Sequence, residues 1–159
     1  MKKIISLLLL ALIIVACVAC QPTQYDIQLG TSKLYLTIPT EYVKTQTTFG
    51  QNQVAYYFKD DNSVSFDVYQ WSKDSNYTVE QEAEYLATQF DVKLYKVTMD
   101  GMTFMKFTTN QTRNGNQRTV VNYLLDDGFY FVELCFWTNN TESELTFVNE
   151  IVSTITLKA

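Results

Sequence analysis

The sequence predicts an α+β domain, in which an antiparallel β-sheet of about six to seven strands carries two packed helices. Short β-rich runs are separated by tight turn clusters such as Asp100-Gly101, and tight turns join only antiparallel neighbours. Two other segments place apolar residues at helical spacing. These segments interrupt the strands in the order strands, helix, about four strands, helix, which is typical of α+β rather than alternating α/β domains.

The first predicted strands lie before residue 72. Residues 34–38 carry apolar side chains at alternate positions and stop at Pro39, which lacks the amide hydrogen that a ladder needs. Residues 54–58 and 64–71 are rich in aromatic and β-branched types, and Asp60-Asp61-Asn62 between them is a turn-forming cluster. These two runs are predicted to form a hairpin.

Both predicted helices carry start signals. Thr78 and Gln81 are spaced as a capping box, and so are Thr141 and Glu144 at the start of the last element. Each run then places apolar residues along one face. They are Val79, Ala83, Leu86, Ala87 and Phe90 in the first helix, and Leu145, Val148, Ile151, Val152 and Ile155 in the second.

Four more strands are predicted between the helices, at residues 92–99, 102–108, 120–125 and 129–137. Asp126-Asp127-Gly128 is the predicted turn before the last of them. Residues 110–116 are predicted to be a longer polar loop around Asn114-Gly115. Arg113 and Arg118 flank this turn, where they are expected to be solvated or to meet an anionic partner.

The N-terminus has the layout of an export signal. Met1-Lys2-Lys3 is positively charged, residues 4–16 are an unbroken apolar run, and Cys17 and Cys20 follow. The run is shorter than the roughly 20 residues that cross a bilayer. It therefore predicts a leader, not a membrane span.

Ile14-Val15-Ala16-Cys17 resembles the bacterial lipobox, which ends in the cysteine that receives a lipid. The resemblance implies a signal peptide over residues 1–16 and a diacylglyceryl, palmitate-type anchor on Cys17. Cys20 is the alternative site, with Cys17 standing where Leu or Ile is usual, and an ordinary cleaved signal with incidental cysteines also stays open. The protein is thus expected in the bacterial cell envelope, anchored by lipid to the membrane and facing outside the cytoplasm.

The rest of the chain is predicted to be a tether over residues 17–25 and one domain over residues 26–159. The whole sequence has 12 basic and 17 acidic residues, and without Lys2 and Lys3 the remainder has a formal charge of −7. Nucleic-acid binding requires Lys and Arg to neutralise phosphates. An acidic domain with no dense basic patch is therefore not expected to bind nucleic acid.

Element order and apolar texture over residues 34–157 resemble small bacterial lipoproteins of the PsbP/Mog1-like fold group. The resemblance rests on the run 65–71, the helix after Thr78, the Asp100-Gly101 turn and the run 127–137. It implies an α/β/α sandwich, no catalytic motif, and members that act mainly by binding other proteins.

Three aromatic residues are the candidate binding residues. In the run 64–71, Tyr69 and Trp71 point away from Phe66 and Val68, and Trp137 lies on the corresponding face of the last strand. These side chains are predicted either to be core beneath the helices or to form an exposed groove for a peptide or glycan.

Catalytic and metal-binding residues are not predicted. The chain has no histidine, which removes the usual activated nucleophiles and histidine-ligated metals. Cys135 stands in an apolar run and is predicted to be a small core residue. Asp60-Asp61 and Asp126-Asp127 are adjacent acids that are expected to serve turns rather than hydrolysis.

The sequence therefore favours a non-enzymatic binding or accessory domain that serves another envelope protein or a glycan. It implies no cofactor besides the covalent lipid. A carboxylate-dependent hydrolase and a structural envelope protein are the alternatives.

Overall fold

A computed structural model describes residues 22–30, 32–45, 52–60, 63–74 and 76–158. The signal peptide, Cys17, Cys20 and Asp61-Asn62 lie outside these residues. The described parts form ten strands and two helices. The strands are β1 (Thr23–Leu29), β2 (Ser32–Ile38), β3 (Val43–Thr45), β4 (Gln53–Phe58), β5 (Ser65–Ser72), β6 (Tyr95–Met99), β7 (Met102–Arg113), β8 (Asn116–Asp126), β9 (Tyr130–Thr138) and β10 (Thr156–Lys158). The helices are α1 (Val79–Phe90) and α2 (Glu142–Ser153).

The strands form two antiparallel sheets, which confirms the predicted α+β class. The large sheet has seven strands in the order β3-β4-β5-β9-β8-β7-β6, and the small sheet has three in the order β1-β2-β10. Within the large sheet, β4–β5, β6–β7, β7–β8 and β8–β9 are hairpins. Strand β9 also pairs with β5, although α1 and strands β6 to β8 lie between them in the sequence. This pairing joins β3, β4 and β5 to the rest of the large sheet.

The two faces of the large sheet are covered differently. One face packs against the small sheet and α2, and the main core lies between them. At its centre the ring of Phe66 stacks on that of Phe136 at 4.9 Å, and Tyr123 meets Phe136 edge-on at 6.0 Å. The other face receives α1, whose Ala83 is buried against Met105 and Phe131.

Both helices begin at the predicted residues. Thr78 accepts a hydrogen bond from the Gln81 amide, and the Gln81 side chain accepts one from the Thr78 amide. Thr141 and Glu144 form the same reciprocal pair at the start of α2. Each capping box satisfies two backbone donors that the first turn would otherwise leave open.

The loop predicted over residues 110–116 is wrong. Strand β7 continues to Arg113 and β8 begins at Asn116, so Asn114 and Gly115 alone form the turn, with φ of 51° and 79°. Asn-Gly readily adopts positive φ at both central positions, which suits a two-residue hairpin. The polar residues of β7 therefore belong to a strand and not to a loop.

The small sheet was only partly predicted. Strand β2 matches the run at 34–38, but β1 starts at Thr23, so residues 23–25 of the predicted tether are already paired with β2. Strand β10 lies antiparallel to β2 after α2. In the described residues, neither helix is long and apolar enough to cross a membrane.

Candidate binding pocket

The three candidate aromatic residues come together on the face of the large sheet that carries α1. Tyr69 and Trp71 lie on β5, opposite Glu133 and Phe131 of β9, and Trp137 lies two residues beyond Cys135 on the same strand face. All three line one pocket of about 370 Å³. This volume is at the small end of the range for ligand sites, about 300–1,000 Å³.

The pocket exists because α1 covers only part of this face. The helix packs over Met105, Leu124 and Phe131, whereas Cys135 and Trp137 form a separate cluster with Val120. The part of this face that α1 leaves uncovered forms the pocket, and the helix provides one of its walls. The pocket lining consists of Asn52, Tyr69, Trp71, Glu82, Leu86, Phe90, Gln111, Val120, Asn122, Glu133, Cys135 and Trp137.

Both indole groups are held by carboxylates. The Trp71 Nε1–H donates to Glu82 Oε1 at 3.1 Å, which ties α1 to β5. The Trp137 Nε1–H donates to Asp67 Oδ2 at 2.7 Å. Because each ring is fixed at its polar edge, its apolar surface is positioned before any ligand arrives.

Asp67 is the fully buried centre of a polar network beside the pocket. It accepts hydrogen bonds from Gln53 Nε2 at 2.5 Å, Arg113 Nη2 at 2.9 Å and Trp137 Nε1 at 2.7 Å. Burial raises the pKa of this carboxyl group, and the Arg113 guanidinium opposes the shift. The three donors compensate the carboxylate for its lost water.

The two arginines of the β7–β8 hairpin are not simply solvated, which corrects the expectation for the loop. The Arg113 guanidinium lies 4.1 Å from the ring centroid of Trp137 and 5.1 Å from that of Tyr56. Arg118 donates to the backbone oxygen of Ser63 at 3.0 Å. Both arginine side chains therefore contact other parts of the protein.

Glu133 is one of the pocket residues that the sequence did not identify as a candidate. Burial, together with the nearby Glu82 carboxylate, raises the pKa of Glu133 to about 7, and a hydrogen bond with Cys135 opposes this. The available signal was its position as the single acid within the apolar run from Phe131 to Trp137. A charged residue in such a strand costs free energy, so it indicates a specific role or partner.

Cys135 is buried, as predicted, although it lies at the pocket wall. Burial and the neighbouring Glu133 carboxylate raise the pKa of the Cys135 thiol well above its usual value. A protonated thiol is a poor nucleophile. Cys135 is thus suited to packing rather than to reaction.

The acid pair at the β8–β9 turn has the predicted turn role. Asp126 Oδ1 accepts from the Gly128 amide at 2.7 Å, and Asp127 Oδ1 accepts from the Phe129 amide at 2.9 Å. Asp126 also pairs with Lys73. Among the described residues there is no group of three acids or cysteines placed to hold a metal ion.

Neither a family model nor a curated protein matches this sequence. Two solved structures are similar in fold. LpqN of Mycobacterium tuberculosis, described as involved in cell envelope biogenesis, has a TM-score of 0.60 at 12% identity, over 87% of this chain and 92% of LpqN. A protein of Bacteroides thetaiotaomicron has a TM-score of 0.64 at 13% identity, over 87% of this chain and 49% of that protein.

These likenesses establish the fold. At 12–13% identity they show that other proteins share this arrangement of strands and helices. The chain spans about half the length of the Bacteroides protein. A shared fold does not define a function, which depends on the residues of the pocket.

Proposed function

We propose that this chain is a lipid-anchored protein of the bacterial cell envelope whose domain acts by binding a ligand and not by catalysis. The leader over residues 1–16 and the lipobox-like cysteine support the anchor. The likeness to LpqN, itself described as involved in cell envelope biogenesis, is in keeping with an envelope location.

The pocket beside α1 is the observation that carries the binding role. Three large aromatic side chains, of which both indoles are held by hydrogen bonds to carboxylates, line a recess that also contains amide and carboxyl groups. Apolar walls with a few oriented polar groups are the usual composition of a ligand site.

A photoreactive side chain at the pocket rim tests binding in intact cells. Phe90 and Tyr85 are both exposed aromatic residues of α1, but only Phe90 lines the pocket. A benzophenone amino acid at position 90 is expected to form a discrete adduct on irradiation, detected by mass spectrometry. The same group at position 85 is the matched control, and equal adducts at both positions, or none at position 90, would contradict pocket binding.

Metabolic labelling tests the anchor separately. Radiolabelled palmitate is expected to enter the wild-type chain and to be lost in Cys17→Ala. Loss only in Cys20→Ala assigns the lipid to the other cysteine. No incorporation in the wild type would refute the anchor while leaving the pocket untouched.

A carboxylate-dependent hydrolase is the second candidate, because two carboxyl groups share the pocket. Glu133, with its pKa near 7, is suited to act as a general acid, and Glu82 would be the second carboxylate. Under this proposal the protein hydrolyses some member of a panel of nitrophenyl glycosides, and Glu133→Gln abolishes the activity. Absence of turnover across the panel counts against it.

A further inference from the structure

The charges inside the pocket are of one sign. Glu82 and Glu133 both line it, and the described lining residues include neither lysine nor arginine. Arg113, the nearest cation to the Trp137 ring, is already paired with the buried Asp67. A ligand in the pocket therefore experiences a negative electrostatic potential that no positively charged side chain of the described lining offsets.

The aromatic walls add to that potential. The faces of Trp and Tyr rings carry the negative part of the aromatic quadrupole, which attracts cations within about 6 Å of the ring centroid. This protein already uses the interaction at Trp137, where the Arg113 guanidinium lies 4.1 Å from the ring centroid. Glu82 and Asp67 also place carboxylates at the indole N–H groups of Trp71 and Trp137.

The mixture of polar and apolar side chains in the pocket wall restricts the chemical class of the ligand further. The side-chain amides of Asn122 and Gln111 lie at the wall formed by β7 and β8. Their nitrogens already donate within the protein, so their oxygens are the groups that can accept a hydrogen bond from a ligand, while Leu86 and Val120 provide apolar contact. A cation that carries alkyl groups satisfies both surfaces, because its charge faces the acids and rings while its carbon atoms are removed from water.

We propose that this pocket binds the alkylammonium group of a small organic cation. The inference rests on the proposed binding function and adds the chemical class of the ligand. Methylated and unmethylated ammonium groups share this chemistry, so choline and ethanolamine serve as separate probes.

Fluorescence gives a direct readout, since the two tryptophans of the chain both line the pocket. The full-length protein in non-ionic detergent is titrated with choline and with its neutral isostere 3,3-dimethylbutan-1-ol. Choline is expected to change the emission and to bind about tenfold more tightly than the alcohol. The ethanolamine titration assigns the preference between methylated and primary ammonium.

Variants locate the effect at the acids. Glu133→Gln is expected to weaken choline binding about tenfold, whereas Glu150→Gln, on the exposed surface of α2, leaves it unchanged. Urea unfolding verifies that both variants are folded. Equal choline affinity in wild type and Glu133→Gln would overturn the assignment of the cation to this pocket.

The pH dependence of choline affinity is an independent test of the same site. The titratable groups facing Glu133 are Cys135 on its own strand, Tyr69 on β5 and Glu82 on α1, while the β8 neighbour is Leu124. The pKa of Glu133 is raised to about 7. Choline affinity is therefore expected to fall about fivefold to tenfold from pH 8 to pH 6 in the wild type, and to stay constant in Glu133→Gln.

The outcomes separate the two proposals. If the neutral alcohol binds as tightly as choline, or if none of the probes binds, the cation class is wrong. The adduct at position 90 still decides whether the pocket binds anything. If that adduct is also missing, the proposed function falls with it.

Discussion

Asp67 and Glu133 lie on the same face of the large sheet, where Asp67 is fully buried and Glu133 is partly buried. Asp67 accepts hydrogen bonds from three donors, one of which is the Arg113 guanidinium. Glu133 has the Cys135 thiol as its partner and another carboxylate nearby. The network of Asp67 is thus expected to stabilise the fold, whereas an ionised Glu133 costs stability and is available to a ligand.

Removal of the Asp67 side chain is expected to be strongly destabilising. In Asp67→Ala the Arg113 guanidinium loses its carboxylate and the buried Trp137 Nε1–H loses its acceptor. Such a loss lowers the free energy of unfolding by about 3–5 kcal/mol, which urea denaturation measures. Asp26→Ala is the control, because the Asp26–Lys33 pair is half exposed and is expected to contribute less than about 1 kcal/mol.

Glu133 is expected to make stability fall as pH rises. Its folded pKa of about 7 lies above the usual 4.5, so between these values the folded chain keeps a proton that the unfolded chain releases. The free energy of unfolding therefore decreases from about pH 4.5 to pH 7 and does not recover above that range. Glu133→Gln should be about 2–3 kcal/mol more stable than wild type at pH 7.5 and nearly equal at pH 4.

Urea unfolding of both proteins at the two pH values measures this difference. The comparison between them cancels the contribution of Asp67, whose pKa burial also raises. A Glu133→Gln variant that is less stable than wild type at pH 7.5 would show that Glu133 is a structural ion.

At the scale of elements, the sequence predicted what is encoded locally. Capping boxes and the 3.6-residue period lie within one segment, so α1 and α2 begin at the predicted residues. The end of β7 could not be predicted in this way. Residues 110–112 are polar and resemble a loop, but pairing with β8 makes them a strand, so tertiary context prevails over propensity.

The α1 cap offers a matched pair of substitutions. Thr78→Ala removes the side chain that accepts the Gln81 amide and is expected to lower the free energy of unfolding by about 1 kcal/mol. Thr88→Ala, in the same helix, removes a hydroxyl that donates a hydrogen bond to the Glu84 carbonyl oxygen. Since alanine is the better helix former there, thermal denaturation should show no loss or a gain of a few tenths of a kcal/mol.

At the scale of the whole molecule, alternation along β5 and β9 predicted which residues share a face but not how that face is covered. Tyr69, Trp71 and Trp137 were correctly placed opposite Phe66 and Phe136. Whether they are core or groove depends on where a 12-residue helix lies across the sheet. That position follows from packing between distant parts of the chain, which a single sequence does not display.

The main core is the largest of the three buried clusters in the described part of the chain. Phe136 is fully buried and contacts the rings of Phe66 and Tyr123. Phe136→Ala is expected to cost about 3–5 kcal/mol in chemical denaturation. Phe129→Ala removes the same group from the β8–β9 turn, where the side chain is 67% exposed. A change above about 0.5 kcal/mol at that position would contradict the burial pattern.

The position of β1 in the fold limits how far the pocket can lie from the membrane anchor. Strand β1 belongs to the layer on the far side of the large sheet from the pocket. A lipid on Cys17 would leave six residue steps before Thr23, a leash of about 20 Å when fully extended. The domain would stay close to its own bilayer with the small sheet nearest the anchor, and the pocket would open outward. It would then sample cations that diffuse past or are displayed by a facing structure, in preference to head groups in the leaflet that holds it.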